Sequence, residues 1–312
     1  MTNMMLPRDA QMAVEHTYSR KFIDQYIDQE IRDNPETEAK VQQGVILLEH
    51  YRSQFYTTTR KGEVVEFKSK NERMAQIQQL ELEPLVRDIF VGVAYCQIPE
   101  LFTCITAQLA ERLHFDDKRD SIMTLAEMMA VLCQTDAFDI IKPSENASLI
   151  IQANFTLSNQ LLDYIERSDY LPPMLCEPER VTNNFESGYL THNDCLILGK
   201  KNGHSMDICL DVINTQNQIP LKLDLEFLTT VEEEPTFELD TPDKIQEWSR
   251  FKMQSYTMYR LIKDRTFWLT NKVDKRGRGY AQGYHITTQG TAFKKAMIEF
   301  AQEEIVDGVP TS

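Results

Sequence analysis

Glycine is scarce in this chain: 11 of 312 residues, about half the ~7% of an average soluble protein. Tight turns and close backbone approaches draw on glycine, so so few of them imply a mainly helical protein. The count argues against a doubly wound nucleotide-binding sheet, whose first turn is glycine-rich. Long apolar runs are also missing, and no stretch reaches the ~18 residues of a membrane-spanning helix. The opening MTNMMLPRDAQMAVEH lacks the apolar centre of a secretory signal. The chain therefore reads as cytoplasmic, with no membrane partner. Its six cysteines, Cys96, Cys104, Cys133, Cys176, Cys195 and Cys209, form no C-x-x-C pair, so no disulfide framework is expected. Cys195 near His192 and Cys209 near His204 are too loosely grouped for a zinc site, and the chain is expected to bind no metal by itself. The sequons at Asn146 and Asn154 carry no weight without a secretion signal. Positive charge is in deficit as well: 33 Lys and Arg against 48 Asp and Glu leave −15. Such a balance argues against a protein that coats nucleic acid with its whole surface.

What is present is helical patterning. Apolar residues recur at Met12, Phe22, Ile23, Tyr26, Ile27 and Ile31, a stripe over Asp9–Ile31, and Val41, Val45, Leu48, Tyr51 and Phe55 continue it in a second helix. Tyr56–Lys70 breaks the period and predicts a short hairpin or loop. A third helical region carries Ile77, Leu80, Leu85, Val86, Ile89 and Phe90. Pro99 is read as opening a fourth helix, and Asp120 or Ser121 a fifth, whose Met123, Leu125, Met128, Met129 and Leu132 read as core rather than as a sticky methionine surface. SLIIQANFTL reads as a strand and NQLLDYIERS as a helix. Pro172-Pro173 then sets the main boundary, giving a helical domain over 1–170 and a more mixed region over 171–312.

In the second region, the acidic stretch from Glu226 to Asp243 reads as a solvated connection. Thr241-Pro242-Asp243 is a helix start, with a capping hydroxyl, a proline and an acidic first turn. The helix that follows carries Ile245, Trp248, Phe251, Met258 and Ile262, with Ser255 as the polar residue on the same stripe. TFWLTNKV and GYAQGYHIT read as strands. Thr291–Glu304 reads as a C-terminal helix with Phe293, Met297, Ile298 and Phe300 as its apolar residues and Glu299, Glu303 and Glu304, followed by Asp307, on a solvated or partner-facing face rather than in a metal site.

Charge is concentrated. From Arg250 to Lys295 eleven Lys or Arg face only Asp264 and Asp274, so this window stands at +9 and the rest of the chain at −24. Phosphate is the natural ligand of a basic island in an acidic protein. At its centre lies Asp274-Lys275-Arg276-Gly277-Arg278-Gly279-Tyr280 between two strand-like runs. The two glycines admit a ligand close to the backbone. Arg276 and Arg278 offer forked donors to phosphate oxygens, and Tyr280 offers a ring to a base or a hydroxyl to a sugar. Asp274 repels phosphate, so its role is to hold an arginine. A solvated basic hairpin on an acidic helical scaffold fits the same string.

DKRGRGYA, with FWLTNK before it and TQGTAFKKA after it, resembles the Asp-x-x-Gly-Arg segment of the single-subunit, phage- and mitochondrial-type RNA polymerases. Upstream, LPPMLCEP followed by Gly188-Tyr189 is similar to that family's Pro-Pro and Gly-Gly-Tyr stretch. DVINTQNQIPLKLDLEFL is similar to its Asn-containing helix, with Leu221 where the family has tryptophan and Asp224 where it has asparagine. The resemblance covers about 171–300. It implies that Asp274, Gly277 and Arg278 form the motif, that Arg276 stands at a further basic family position, and that Tyr280 touches template; Lys275, within the same stretch, is counted with them as a nucleic-acid contact. It also implies that Lys295, or Lys294 in the alternative register, approaches the incoming nucleotide.

Polymerisation of this type uses two metal ions on two aspartates, which the family places well after the motif; here 34 residues follow Arg278. His192-Asn193-Asp194 precedes the motif and stands in the wrong order to be one of them. The resemblance therefore implies the N-terminal subunit of a split, heterodimeric phage RNA polymerase with no catalytic residue of its own. A second subunit would bring palm, fingers and Mg2+, the ligands would be template DNA and nascent RNA, and promoter-delivery or single-stranded-DNA-binding accessory proteins would assist. A non-enzymatic single-stranded-DNA-binding or transcription factor derived from a polymerase fragment is the alternative.

Overall fold

The computed structural model describes residues 6–144, 147–168, 170–199 and 202–302; Asn146, Glu303, Glu304 and Asp307 lie outside them. Among the described residues the chain is mainly helical, with small antiparallel sheets, and no helix is long and apolar enough to cross a membrane. It divides into two compact units. Arg20–Ile165 forms one, and Met1–Ser19 together with Glu166–Ser312 forms the other.

The expected stripe over Asp9–Ile31 is two helices, α1 (Pro7–Tyr18) and α2 (Arg20–Asp33), separated by the extended Ser19. Met12 is 43% exposed because the buried side of α1 is set by Ala10, Val14 and Tyr18 instead. In the unit spanning Arg20–Ile165, Ile23, Ile27 and Ile31 of α2 recur every fourth residue and are at most 1% exposed. Asn34 ends α2 and starts α3 (Pro35–Arg52), its side chain accepting from the N–H groups of Glu36 and Thr37, a cap worth ~1 kcal/mol. Phe55 lies past the helix and is exposed. The predicted hairpin is β1 (Thr57–Arg60) against β2 (Glu63–Glu66). The third helical region is two helices, α4 (Lys68–Ile77) and α5 (Leu82–Ala94).

Pro99 does not open a helix. Glu100–Leu101 is strand β3, and α6 (Phe102–Leu109) starts after it, because β3 pairs with β5 (Ile150–Ala153), the central strand of a sheet that also holds β4 (Phe138–Ile141). Before β4, α7 (Lys118–Leu132) is capped by Asp117 rather than by Asp120 or Ser121. Its Leu125, Met128, Met129 and Leu132 are fully buried while Met123 is exposed. The final helix of the unit is α8 (Asn159–Arg167). Phe90 of α5 lies edge-on to Phe138 at 6.2 Å and stacked on Phe155 at 6.3 Å.

Gly92 on α5 is a close approach. A Cβ there would sit 2.5 Å from Leu109 Cδ2. Helix propensity alone favours Gly92→Ala by ~1 kcal/mol, but overpacking costs ~1–3 kcal/mol. The substitution is expected to lower the urea midpoint in wild type and to do so much less in a Leu109→Ala background, since the two side chains compete for one volume.

The second unit is discontinuous in sequence. Ala10, Val14 and Tyr18 of α1 share a core with Leu221 and Leu223 of β6 (Leu221–Leu223), Met258, Tyr259 and Ile262 of α11 (Pro242–Ile262), and Phe267 and Met297. Between them, α9 (Leu210–Asn217) leads into β6, and α10 (Leu225–Thr230) follows it, so the acidic stretch begins as helix. The Thr241 hydroxyl accepts from Lys244 N–H and Pro242 takes the first turn of α11, the start expected from the sequence. The strands expected from TFWLTNKV and GYAQGYHIT shorten to β7 (Asn271–Val273) and β8 (Gly279–Ala281). Thr291–Glu304 is not one helix. α12 (Ala292–Ala296) gives way to β9 (Ile298–Phe300), which pairs with β6, Leu223 opposite Ile298 and Leu221 opposite Phe300. The open edge of β6 captures a β-prone Ile-Glu-Phe run that helical spacing alone misreads.

Glu15 fastens α1 to this unit. Its side chain is inaccessible to solvent. It accepts from Leu190 N–H and Thr191 N–H, both at 2.9 Å, from the Thr191 hydroxyl, and from Gln11 at 2.8 Å. Gln11 in turn accepts from Leu175 N–H at 2.7 Å.

Ser255, the polar residue on the α11 stripe, is explained by His285: the hydroxyl lies 2.7 Å from Nδ1, and Nε2 has no partner. Burial, and then the Lys294 charge, push the imidazole down to about 4. The folded unit therefore excludes a proton that the unfolded chain binds below its ordinary value near 6.5. This contribution is fully present above ~6.5 and is lost as pH falls toward 4. Urea midpoints measured at pH 7 and pH 5 are expected to drop further in wild type than in His285→Gln.

Candidate nucleic-acid interface

β7 and β8 pair antiparallel with Lys272 opposite Tyr280 and Val273 opposite Gly279. Three anchors fix this hairpin. Val273 is buried with Val181, Leu196, Ile197 and Ile213 in a small core of its own. Asn217, at the end of α9, accepts from both the backbone and side-chain amides of Asn271, at 2.8 and 3.1 Å. Gln289 bridges to β8, donating to Gly279 C=O at 3.0 Å and accepting from Ala281 N–H at 3.1 Å. The motif's backbone is thus held from below and from the side.

The turn is built on Asp274. Its N–H donates to Arg278 C=O, and Gly277 N–H donates to Asp274 C=O, both at 2.9 Å. Gly277 has φ +79°, and a Cβ there would meet nothing within 4 Å. Glycine is therefore required by backbone conformation, and the space above it is open. One carboxylate oxygen of Asp274 accepts from the N–H groups of Arg276 and Arg278 at 2.9 and 3.1 Å. The other accepts from both guanidinium groups, at 3.0 Å from Arg276 Nη2 and 2.9 Å from Arg278 Nε, with Arg278 Nη2 in ion-pair contact at 2.8 Å and the Tyr280 hydroxyl at 3.4 Å. Burial works against ionisation of this carboxyl, but the Arg278 backbone and guanidinium bonds, its charge and the Tyr280 hydroxyl outweigh it and hold the group below its usual value. The carboxylate is 15% exposed, while the Arg276 and Arg278 side chains are 63% and 54% exposed.

Two guanidinium groups are therefore presented to solvent from one carboxylate. Each has five N–H donors and commits Nε and Nη2 to Asp274. The remaining donors of both groups lie on exposed side chains and are open to a ligand. The Arg278 guanidinium carbon is 5.8 Å from the Tyr280 ring centre, and Lys275 is exposed beside them.

Comparison with protein-family models and with curated proteins finds no match.

Asp274, Lys275, Arg276, Gly277, Arg278 and Tyr280 thus fall within one hairpin, as their adjacency dictates. The two lysines of α12 do not share one environment. Lys295 is exposed. Lys294 is turned inward and only 8% exposed; its ammonium donates to Tyr284 C=O at 2.6 Å, and burial lowers its basicity. Sequence reasoning placed Lys294 with the ligand-facing cations, whereas one helical step separates an outward cation from an inward one.

Three contributors were not legible. Asn217 and Gln289 act through backbone groups and leave no charge signature. Lys272 belongs to the basic island by sequence but is paired with Asp194. The only signal for Asp194 was its place in His192-Asn193-Asp194. The acids around the hairpin, Asp274 and Asp194, are both committed to cations, so neither fits a divalent metal. Among the described residues no group of three His, Cys, Asp or Glu is placed to hold one. Chemically, the hairpin presents forked cationic donors beside an aromatic ring.

Lowering pH tests the Asp274 clamp. A depressed carboxyl contributes its ordering above its unfolded value and loses it as pH falls through the lower, folded value. The Gly277 and Arg278 amide resonances are expected to stay dispersed through pH 4 and to collapse toward random-coil shifts only below the ordinary Asp range, near 3.9.

Proposed function

We propose that this chain is a subunit of a DNA-directed RNA polymerase of the single-subunit type, holding the template strand and the RNA–DNA hybrid while a second polypeptide carries palm, fingers and catalytic aspartates. The observation that carries the reading is the Asp274 clamp, which fixes two exposed arginines on an open glycine turn. Forked donors ordered in advance bind the phosphates of a strand better than a solvated loop would, because the ordering cost is met before the ligand arrives. The ordered resemblance of the 171–300 blocks supports reading that strand as template. Lys275 extends the positive edge, Tyr280 supplies a stacking face, and Lys295 stands on the helix that follows Gln289. On this reading Mg2+ chemistry is supplied through the partner.

The test is RNA extension on a preformed RNA–DNA scaffold with Mg2+ and nucleotides, using this chain, the product of the adjacent reading frame, and both together. Extension only with both supports the split enzyme. Extension by this chain alone overturns the placement of the catalytic centre. Salt-sensitive scaffold binding without extension in any tube favours a non-enzymatic single-stranded-DNA-binding factor. Salt-insensitive behaviour favours an acidic scaffold.

A further inference from the structure

In the unit that holds the hairpin, five aromatic side chains from four segments form a continuous wall. Phe237 stands edge-on to Trp248 at 6.4 Å; Trp248 stacks on Phe251 at 5.2 Å and 16°. Phe251 meets Tyr284 edge-on at 5.8 Å, and Tyr284 stacks on Tyr170 at 3.8 Å and 8°. The wall lines a cavity of about 300 Å³ whose remaining boundary includes Glu233, Glu234 and Glu247. Two cations also border it, and both are engaged: Arg250 lies 4.0 Å from Glu166, and Lys294 donates to the Tyr284 carbonyl. Lys294 shows what these rings accept, its ammonium lying 4.8 Å from the Tyr284 ring centre and 5.1 Å from that of Phe251.

We infer that this cavity binds an organic cation, a guanidinium or alkylammonium group, between the aromatic wall and the three glutamates. Ring faces attract a cation through their quadrupole, and more strongly once it is desolvated. The carboxylates supply the counter-charge that neither engaged cation satisfies. Burial raises the Glu233 carboxyl above its usual range, with Lys294 and Lys252 opposing it only in part, so an arriving cation relieves a group held at a cost. Three carboxylates against Arg250 and Lys294 leave the lining net acidic, which favours a cation over phosphate here even though the hairpin of the same unit suits phosphate. This site is independent of the polymerase reading.

Trp248 is one of only two tryptophans and reports directly on the cavity. Wild-type protein is titrated with N-acetyl-arginine methylamide, with the neutral isostere N-acetyl-citrulline methylamide, and with spermidine, following tryptophan fluorescence. Saturable quenching by the arginine amide, at least tenfold weaker with citrulline and at least fivefold weaker in Glu233→Gln/Glu247→Gln, is the expected result. Saturation by spermidine at lower concentration than by the arginine amide keeps the site and makes a free polyamine its source; the reverse order makes it a basic side chain of a partner protein. No saturable response to either cation, or equal response to citrulline, overturns the inference, and a Trp248→Phe variant that retains the full signal does the same.

Discussion

Arg276→Ala combined with Arg278→Ala is expected to weaken binding of an RNA–DNA scaffold at least about a hundredfold at low salt and to reduce the slope of log affinity against log salt by about 1.5. Each arginine lost removes a forked, charge-assisted contact worth ~1.5–3 kcal/mol, and each phosphate left unneutralised takes ~0.7–0.9 from the salt slope. The two side chains are exposed and their ion pairs are made to Asp274 within the same turn, so the fold is expected to remain intact and the loss to read out as binding. Asp274→Asn separates the clamp from the charge. It keeps the acceptor geometry in part and raises the net charge, so a purely electrostatic hairpin would bind more tightly. A hairpin whose spacing matters binds the scaffold no better and discriminates less between an RNA–DNA hybrid and single-stranded DNA. Filter binding at four salt concentrations distinguishes these outcomes. An unchanged slope for the double alanine variant would falsify the phosphate role.

Glu15→Ala is the most damaging single change expected for stability. The carboxylate has no solvent access and serves four donors, among them the N–H groups of Leu190 and Thr191. Truncation leaves those donors buried and unpaired, at ~1–3 kcal/mol for each strongly desolvated group, and adds a cavity. A loss of about 4 kcal/mol follows, enough to detach α1. Glu15→Gln presents an N–H where an acceptor is needed and recovers only part of the loss. Amide exchange at Leu190 and Thr191 is the direct measurement. Protection should collapse there and along α1 while the amides of α5, in the other unit, keep theirs.

The helices of the Arg20–Ile165 unit were legible because each buries one face at a regular spacing, as Ile23, Ile27 and Ile31 do. Errors arose where a long-range partner overrode local pattern. β9 exists because β6 offers an edge, and Glu100–Leu101 leaves the helix because β5 lies beside it. Neither partner is near in sequence. The hairpin was legible for the opposite reason: its charge, glycine and aromatic content are packed into seven consecutive residues. Its supports were not, since Asn217 and Gln289 are ordinary amides until the chain brings them to Asn271 and Gly279. The aromatic wall escaped for the same reason. Trp248 and Phe251 share a helix face and read as core, while Tyr170, Phe237 and Tyr284 come from segments that show no common pattern.

The attachment of α1 through Glu15 has a bearing on biosynthesis. α1 leaves the ribosome well before the unit it belongs to is finished, since its receptor at Leu190–Thr191 emerges some 175 residues after Glu15. Domains fold as units during synthesis, so Arg20–Ile165 can complete its core while α1 waits, amphipathic and unpaired, for its site to be made. A fragment starting at Glu166 would never acquire the helix and would leave the Leu190 and Thr191 donors unmet. A fragment covering Arg20–Ile165 has no such debt. Dissecting this protein therefore calls for excising the middle and splicing the flanks, rather than cutting the chain once.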